Sequence, residues 1–207
     1  MTVRAGGLAV LIACASAATA TGASAATARP SAGDAGATAG AVSMDGPSPG
    51  RVVIHDAFPS KHVAARRVVV WLPAGYDGST ERHAVLYMHD GQNLFDPATS
   101  MGGEPWAVDR HLDRLGRAGR TRPTIVVGVW NTDRRSREYA PAAPLATLPA
   151  ALVAEAGLGD IPLLSDDYVE FLTRELKPFV DANYRTRPGR EDTVVMGSSM
   201  GGLISLY

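Results

Sequence analysis

Gly197-Ser198-Ser199-Met200-Gly201 sets a serine midway between two glycines, with Thr193-Val194-Val195-Met196 directly before it and Gly202-Leu203-Ile204-Ser205-Leu206 directly after. A bare G-x-S-x-G arises by chance about once in fifteen chains of this length, so the five letters alone decide little. The flanks decide more. The β-branched run reads as a buried strand and the residues after the motif as a helix opening at once, the setting of a nucleophile elbow. A serine on so sharp a strand-to-helix turn sits in strained backbone, and side chains at the flanking positions would strike the neighbouring strand or helix, which explains the glycines. Ser199 is therefore expected to be a nucleophile, held above the sheet edge where unpaired N–H groups and the helix dipole favour developing negative charge. The N–H of Met200 is expected to be one donor to an oxyanion.

The elements that must hold this turn can be followed along the chain. "RVVIHDAF" from Arg51 and "ARRVVVWLP" from Ala65 read as two antiparallel strands, and Pro73-Ala74-Gly75 turns out of the second. "HAVLYMHDG" holds a third, with an apolar run from Ala84 to Met88 suited to a strand covered on both faces. "WAVDRHLDRLGRAG" predicts a helix with Trp106, Val108, His111, Leu112 and Leu115 on one side, closed by Gly116 or Gly119. "TIVVGVW" is a fourth strand. "SDDYVEFLTRELKPFVDANY" is a second helix with Ser165 as its N-cap and Asp166 and Asp167 in its first turn. Its buried face is Tyr168, Phe171, Leu172, Leu176, Phe179 and Val180, and Pro178 should kink or split it. Strands alternating with helices after a hairpin start predict an α/β fold with a mostly parallel sheet.

Three separated segments, "VLYMHDGQNLFD", "ELKPFVDANYRT" and "VVMGSSMGGLISLY", together resemble the Putative esterase family of α/β hydrolases, which includes enterochelin esterase-like, esterase D-like and feruloyl or acetyl-xylan esterase-like proteins. The likeness runs from Arg51 to Tyr207 and covers the N-terminal part of the family's fold only. It implies an α/β-hydrolase fold and a serine carboxylic-ester hydrolase acting through an acyl-Ser199 intermediate. It also implies a second oxyanion donor from the loop after the third strand, the N–H of Gln92, with Gly91 letting the backbone approach. The side chains of His89 and Asp90 are expected to pack and bond that loop, since the family's catalytic histidine comes from a loop well after the nucleophile. "WNTDRRSREYAPAAP" follows the fourth strand at the carboxyl end of the sheet, where α/β folds bind ligands. Arg134, Arg135 and Tyr139 are candidate substrate contacts there, the alternative being a loop whose charges pair with one another. Met101 to Trp106 could rim the same pocket, with Trp106 in the core as the alternative.

A serine nucleophile needs a base and an acid to orient it, which in α/β hydrolases follow in the order Ser, Asp or Glu, His. Only eight residues follow Ser199, and none is acidic or a histidine. The expectation is a C-terminally truncated fragment, partial over 51–207, with one sheet edge unpaired and no esterase activity alone. Two readings stay open: an ester hydrolase in the full-length parent, with acyl transfer as a variant, or a non-catalytic extracellular binding module. The substrate expected is a small-molecule or carbohydrate-linked ester.

The 207 residues allow one domain with a substantial core, and 45% of them are hydrophobic, as in ordinary globular proteins. A net charge of −1 with dispersed charges gives no face for nucleic acid. None of the histidines falls in a metal-ligand motif, so neither metal nor cofactor is called for. "MTVR", the apolar stretch after it and Ala23-Ser24-Ala25 predict a secretory signal peptide over residues 1–25, hence a secreted or periplasmic protein. Leu11-Ile12-Ala13-Cys14 offers the alternative of a lipoprotein anchored through Cys14; otherwise no membrane association is expected. Residues 26–50 are rich in Ala, Gly, Ser and Pro and predict a disordered linker.

Overall fold

The structure, a computed structural model, describes residues 48–159 and 162–207. The expected signal peptide, Cys14 and all but the end of the expected linker lie outside the described residues.

Among the described residues five strands form one sheet in the order β1-β2-β4-β3-β5, made by β1 (Arg51–Phe58), β2 (Arg66–Leu72), β3 (Ala84–His89), β4 (Thr124–Val129) and β5 (Thr193–Met196). The β1–β2 and β2–β4 pairings are antiparallel, and β3 runs parallel to both β4 and β5. The sheet is thus mixed, with a parallel half that carries the elbow. Strand order was not readable from local patterns: β2 is as continuous an apolar run as β3, yet it pairs antiparallel on both sides.

Period-two alternation sorts the side chains onto two faces. Val68, Val70, Leu72, Val85, Tyr87, Ile125, Val127 and Val129 point to one side and pack with Tyr168, Phe171, Leu176 and Val180. Trp71, Met88 and Val126 point to the other, joined by Leu94 and flanked by Trp106, Val108 and Leu112. Helix α1 (Val108–Arg117) covers this second face, and it is Gly119, at φ 66°, that closes it, with the N–H of Arg120 reaching back to the Leu115 carbonyl. Three short helices follow β4: α2 (Arg135–Tyr139), α3 (Ala142–Leu145) and α4 (Ala150–Glu155).

The long helical stretch on the first face is α5 (Ser165–Glu170), a π segment (Phe171–Leu176) and α6 (Lys177–Asn183). Pro178 stands in the first turn of α6. It has no N–H and its ring crowds the carbonyl four residues back, and the wider π turn just before it absorbs both faults without breaking the helix. Ser165 is not the N-cap. The cap position is Leu164, without a side-chain hydrogen bond, and the Ser165 hydroxyl instead accepts the N–H of Ala142 at 3.0 Å. The motif read as a cap because a serine before two aspartates fits that pattern; tertiary contact with the start of α3 claimed the hydroxyl.

The last helix, α7 (Met200–Leu206), follows β5 after a three-residue turn and packs Ile204 into the first core. The sequence reads β5 as buried, yet Val194 is 50% exposed and Met196 49%, because among the described residues β5 is the outer strand of the sheet.

Candidate active site

The turn between β5 and α7 holds Ser199 at φ 55°, ψ −122°. A non-glycine residue in such a conformation stores on the order of 1–3 kcal/mol and persists only where its surroundings over-determine it. They do so here. A Cβ on Gly197 would lie 2.5 Å from the Gly201 carbonyl carbon, so the turn has closed onto itself with no room for a side chain. The N–H of Gly201 donates to the Ser198 carbonyl at 2.8 Å and that of Gly202 to the Ser199 carbonyl at 2.9 Å. Ser198 and Ser199 are both exposed. Met200 is the first residue of α7, where backbone N–H groups have no partner within the helix.

The elbow is pressed against the end of β3. A Cβ on Gly201 would sit 3.3 Å from the His89 Cβ and 3.5 Å from an Asp90 carboxylate oxygen. Asp90 takes the left-handed conformation, φ 56° and ψ 46°, and turns the chain out of β3 into a single 3-10 turn, Gly91–Asn93. Gly91 is needed because its Cβ would meet the Gly128 carbonyl carbon at 2.6 Å. The turn's own hydrogen bonds are made by the N–H groups of Asn93, to the Asp90 carbonyl at 2.9 Å, and Leu94, to that of Gly91. Those of Gly91 and Gln92 take no part in them. The side chain of Gln92 accepts the Asn131 N–H at 3.3 Å, and its carbonyl accepts the Thr99 hydroxyl at 2.7 Å.

Beneath the turn lies a buried polar chain. His89 is 1% exposed and its Nδ1 shares a hydrogen bond of 2.8 Å with the Tyr168 hydroxyl, while Nε2 is buried without a partner. The Asp90 N–H donates to the Tyr139 hydroxyl at 3.4 Å. Burial pushes His89 down to about 4, against the opposing pull of the Asp90 charge, so it is neutral at physiological pH and a poor general base. Burial likewise raises Tyr139 to about 12 and Tyr168 well above the usual tyrosine value.

A pH dependence follows. The unfolded chain protonates His89 near 6.5 whereas the folded chain resists protonation until about 4. No stability is lost above 6.5; as the pH falls from 6.5 to 4 the unfolded state gains a proton the folded state refuses, a loss of about 3 kcal/mol. Urea titrations at intervals across this window should show the loss, and His89→Gln should flatten it; an equal slope in the variant would place the titrating group elsewhere.

The candidate substrate residues divide. Arg134 is exposed. Arg135 is committed to the protein, its Nε and one terminal nitrogen holding the two Asp90 oxygens at 2.7 and 2.9 Å, with the guanidinium 5.0 Å from the Tyr139 ring centroid. Tyr139 is fully buried; its ring belongs to the first core, so it supports the loop from behind instead of facing a ligand. Met101 stands 86% exposed, whereas Trp106 packs on the second core. Asn131 and Tyr168 join the site without having been singled out for it. Tyr168 carried only the signal of a core position, and Asn131 none beyond its place just after β4. Among the described residues no group of His, Cys, Asp or Glu is arranged to hold a metal ion. A cavity of about 540 Å³ lies away from the elbow, near the starts of β3 and β4.

Comparison with known proteins places this geometry. Uncharacterized protein YbbA of Bacillus subtilis (strain 168) is 24% identical over 149 residues, covering 72% of this chain and 52% of YbbA. An IroE-like serine hydrolase from Shewanella oneidensis superposes with a TM-score of 0.56 at 26% identity, covering 74% of this chain and 44% of that one. The siderophore hydrolase EstA from Aspergillus nidulans shares the fold, with a TM-score of 0.51 at 22% identity over 75% of this chain and 52% of EstA. The chain thus spans about half the length of these relatives. Residues 63–207, well over half of the chain, match the Putative esterase family. The sequence match, the mixed α/β sheet and the strained turn at its carboxyl end agree: the chain belongs to the Putative esterase family and carries its ester-hydrolase fold.

Proposed function

We propose that Ser199 is the nucleophile of a carboxylic-ester hydrolase working through an acyl-serine intermediate. The observation that carries the reading is the conformation of Ser199 itself, a strained residue on a turn whose glycines leave no space for side chains. The Ser199 oxygen attacks the ester carbonyl, and the carbonyl π electrons move onto its oxygen. The N–H groups of Met200 and Gln92 stabilise that oxyanion. Collapse expels the alcohol and leaves the acyl group on Ser199, and water then repeats the sequence to release the acid. In serine hydrolases of this fold the base is a histidine oriented by an acid; His89, buried and bonded through Nδ1 to Tyr168, does not fill that place. The name of the Shewanella oneidensis relative, a serine hydrolase, supports the mechanism. The test is hydrolysis of p-nitrophenyl acetate by the natural gene product, followed by a panel of acetyl, feruloyl and siderophore-type esters. Turnover blocked by a fluorophosphonate supports the reading, and turnover indifferent to it overturns it.

Export is proposed on the N-terminal pattern, with maturation next to Ala25. Intact mass of the protein recovered outside the cytoplasm should begin near Ala26; a lipid-modified Cys14 at the N-terminus would replace this with membrane anchoring.

A further inference from the structure

We infer that Asp90 is a positioning residue, clamped by Arg135 and Asn131, which holds the loop after β3 in the conformation that presents its N–H groups to the oxyanion. The inference rests on the reading of Ser199 as the nucleophile. Asp90 is 3% exposed and lies in left-handed backbone, a region uncommon for non-glycine residues although Asp enters it more readily than most. Five hydrogen bonds fix it. Its carboxylate accepts Arg135 Nε at 2.7 Å, an Arg135 terminal nitrogen at 2.9 Å and Asn131 Nδ2 at 2.7 Å. Its N–H donates to Tyr139 and its carbonyl accepts the N–H of Asn93.

Three of those five bonds come from one short helix. Arg135 and Tyr139 stand at the two ends of α2, and between them Glu138 ties the same helix to Arg66 on β2 through a bidentate pair of 2.8 and 2.6 Å, with both side chains buried. The helix is therefore anchored to the antiparallel half of the sheet and grips the loop that follows its parallel half. The neighbouring link from Gln92 to the Asn131 N–H ties the next turn of the loop to the same segment. Asp90 also sits 3.5 Å from where a Cβ on Gly201 would be, so any shift in its carboxylate moves the loop against the elbow. On this geometry Arg135 recognises Asp90, and the loop it fixes recognises the transition state.

The test is made in the natural gene product with Arg135→Lys, which keeps the positive charge but removes the planar fork, and Asn131→Ala, which removes one bond and leaves the ion pair. Arg135→Lys should lower kcat by about 100-fold, the scale of a small misplacement of catalytic groups, while KM stays within about twofold. Asn131→Ala should show a smaller loss with the same split. Thermal melts establish that each variant is folded, and Asn131→Ala decides the matter where Arg135→Lys does not fold. Folded variants with wild-type kcat overturn the clamp, as does a rise in KM with kcat unchanged. Ser199→Ala is assayed alongside: its retaining turnover would refute the nucleophile and the clamp with it, whereas its abolishing turnover beside unaffected clamp variants refutes the clamp alone.

Discussion

Ser199→Ala in the natural gene product is expected to abolish labelling by a fluorophosphonate probe and to reduce turnover by roughly 10⁶-fold, the loss typical of removing the nucleophile of a serine triad. The size of the effect comes from mechanism. Without the hydroxyl no acyl intermediate forms, and what remains is binding and an oxyanion site with nothing to attack. Ser198→Ala is the internal control, because Ser198 is also exposed and directly adjacent yet lies outside the central position of the motif. Its loss should be modest. Only Ser199 has the strained φ of 55° and stands between the strand end and the first residue of α7. Peptide mapping of the probe adduct decides between the two serines, and an adduct on Ser198 would refute the assignment.

Glu138→Ala is expected to have the largest effect on stability, about 3–5 kcal/mol, because it strands the buried Arg66 guanidinium without its partner. Arg66 and Glu138 side chains are 1% and 0% exposed, and the guanidinium lies over the rings of Tyr168 and Phe171 at 5.3 and 5.2 Å. That is a large part of a typical total of about 5–15 kcal/mol. The paired replacement Arg66→Met with Glu138→Leu removes both charges together and should recover most of the loss, since an apolar pair needs no compensation for desolvation. Urea denaturation of the single and double variants measures both. A single variant within about 1 kcal/mol of wild type would mean that the pair behaves as an exposed one, with water reaching Arg66.

The readable parts of the molecule are those whose cause is local. Val68 to Trp71, Ala84 to Met88 and Ile125 to Val127 announce strands because β-branched and apolar runs of that length fit a sheet covered on both sides. Ser199 announces its turn because Gly197, two residues before it, answers a steric demand from Gly201 within the same five residues. What escaped local reading depends on distance in the chain. Asp90 and Arg135 are 45 positions apart, and nothing near either one names the other. Tyr139 looked like part of a polar loop because Arg134, Arg135, Arg137 and Glu138 surround it; it is buried in the first core, on a helix that its neighbour Glu138 ties to Arg66 on β2. Ser165 and Ala142 repeat the lesson on a smaller scale, a tertiary hydrogen bond taking the hydroxyl that a local capping rule had assigned.

The π segment has a consequence for how the helix over 165–183 tolerates change in length. Its i→i+5 hydrogen bonding brings residues five apart onto one side, and Phe171 and Leu176, five apart, are both fully buried. The two flanking α-helical pieces are therefore out of phase, offset by about one residue, or roughly 100° of rotation. Losing one residue between Leu172 and Glu175 would bring the pieces into phase, but it would return Pro178 to an ordinary α-helical environment and bring its ring against a carbonyl again. The extra residue and the proline are thus a linked pair: deleting the first is expected to destabilise the helix unless the second is replaced as well.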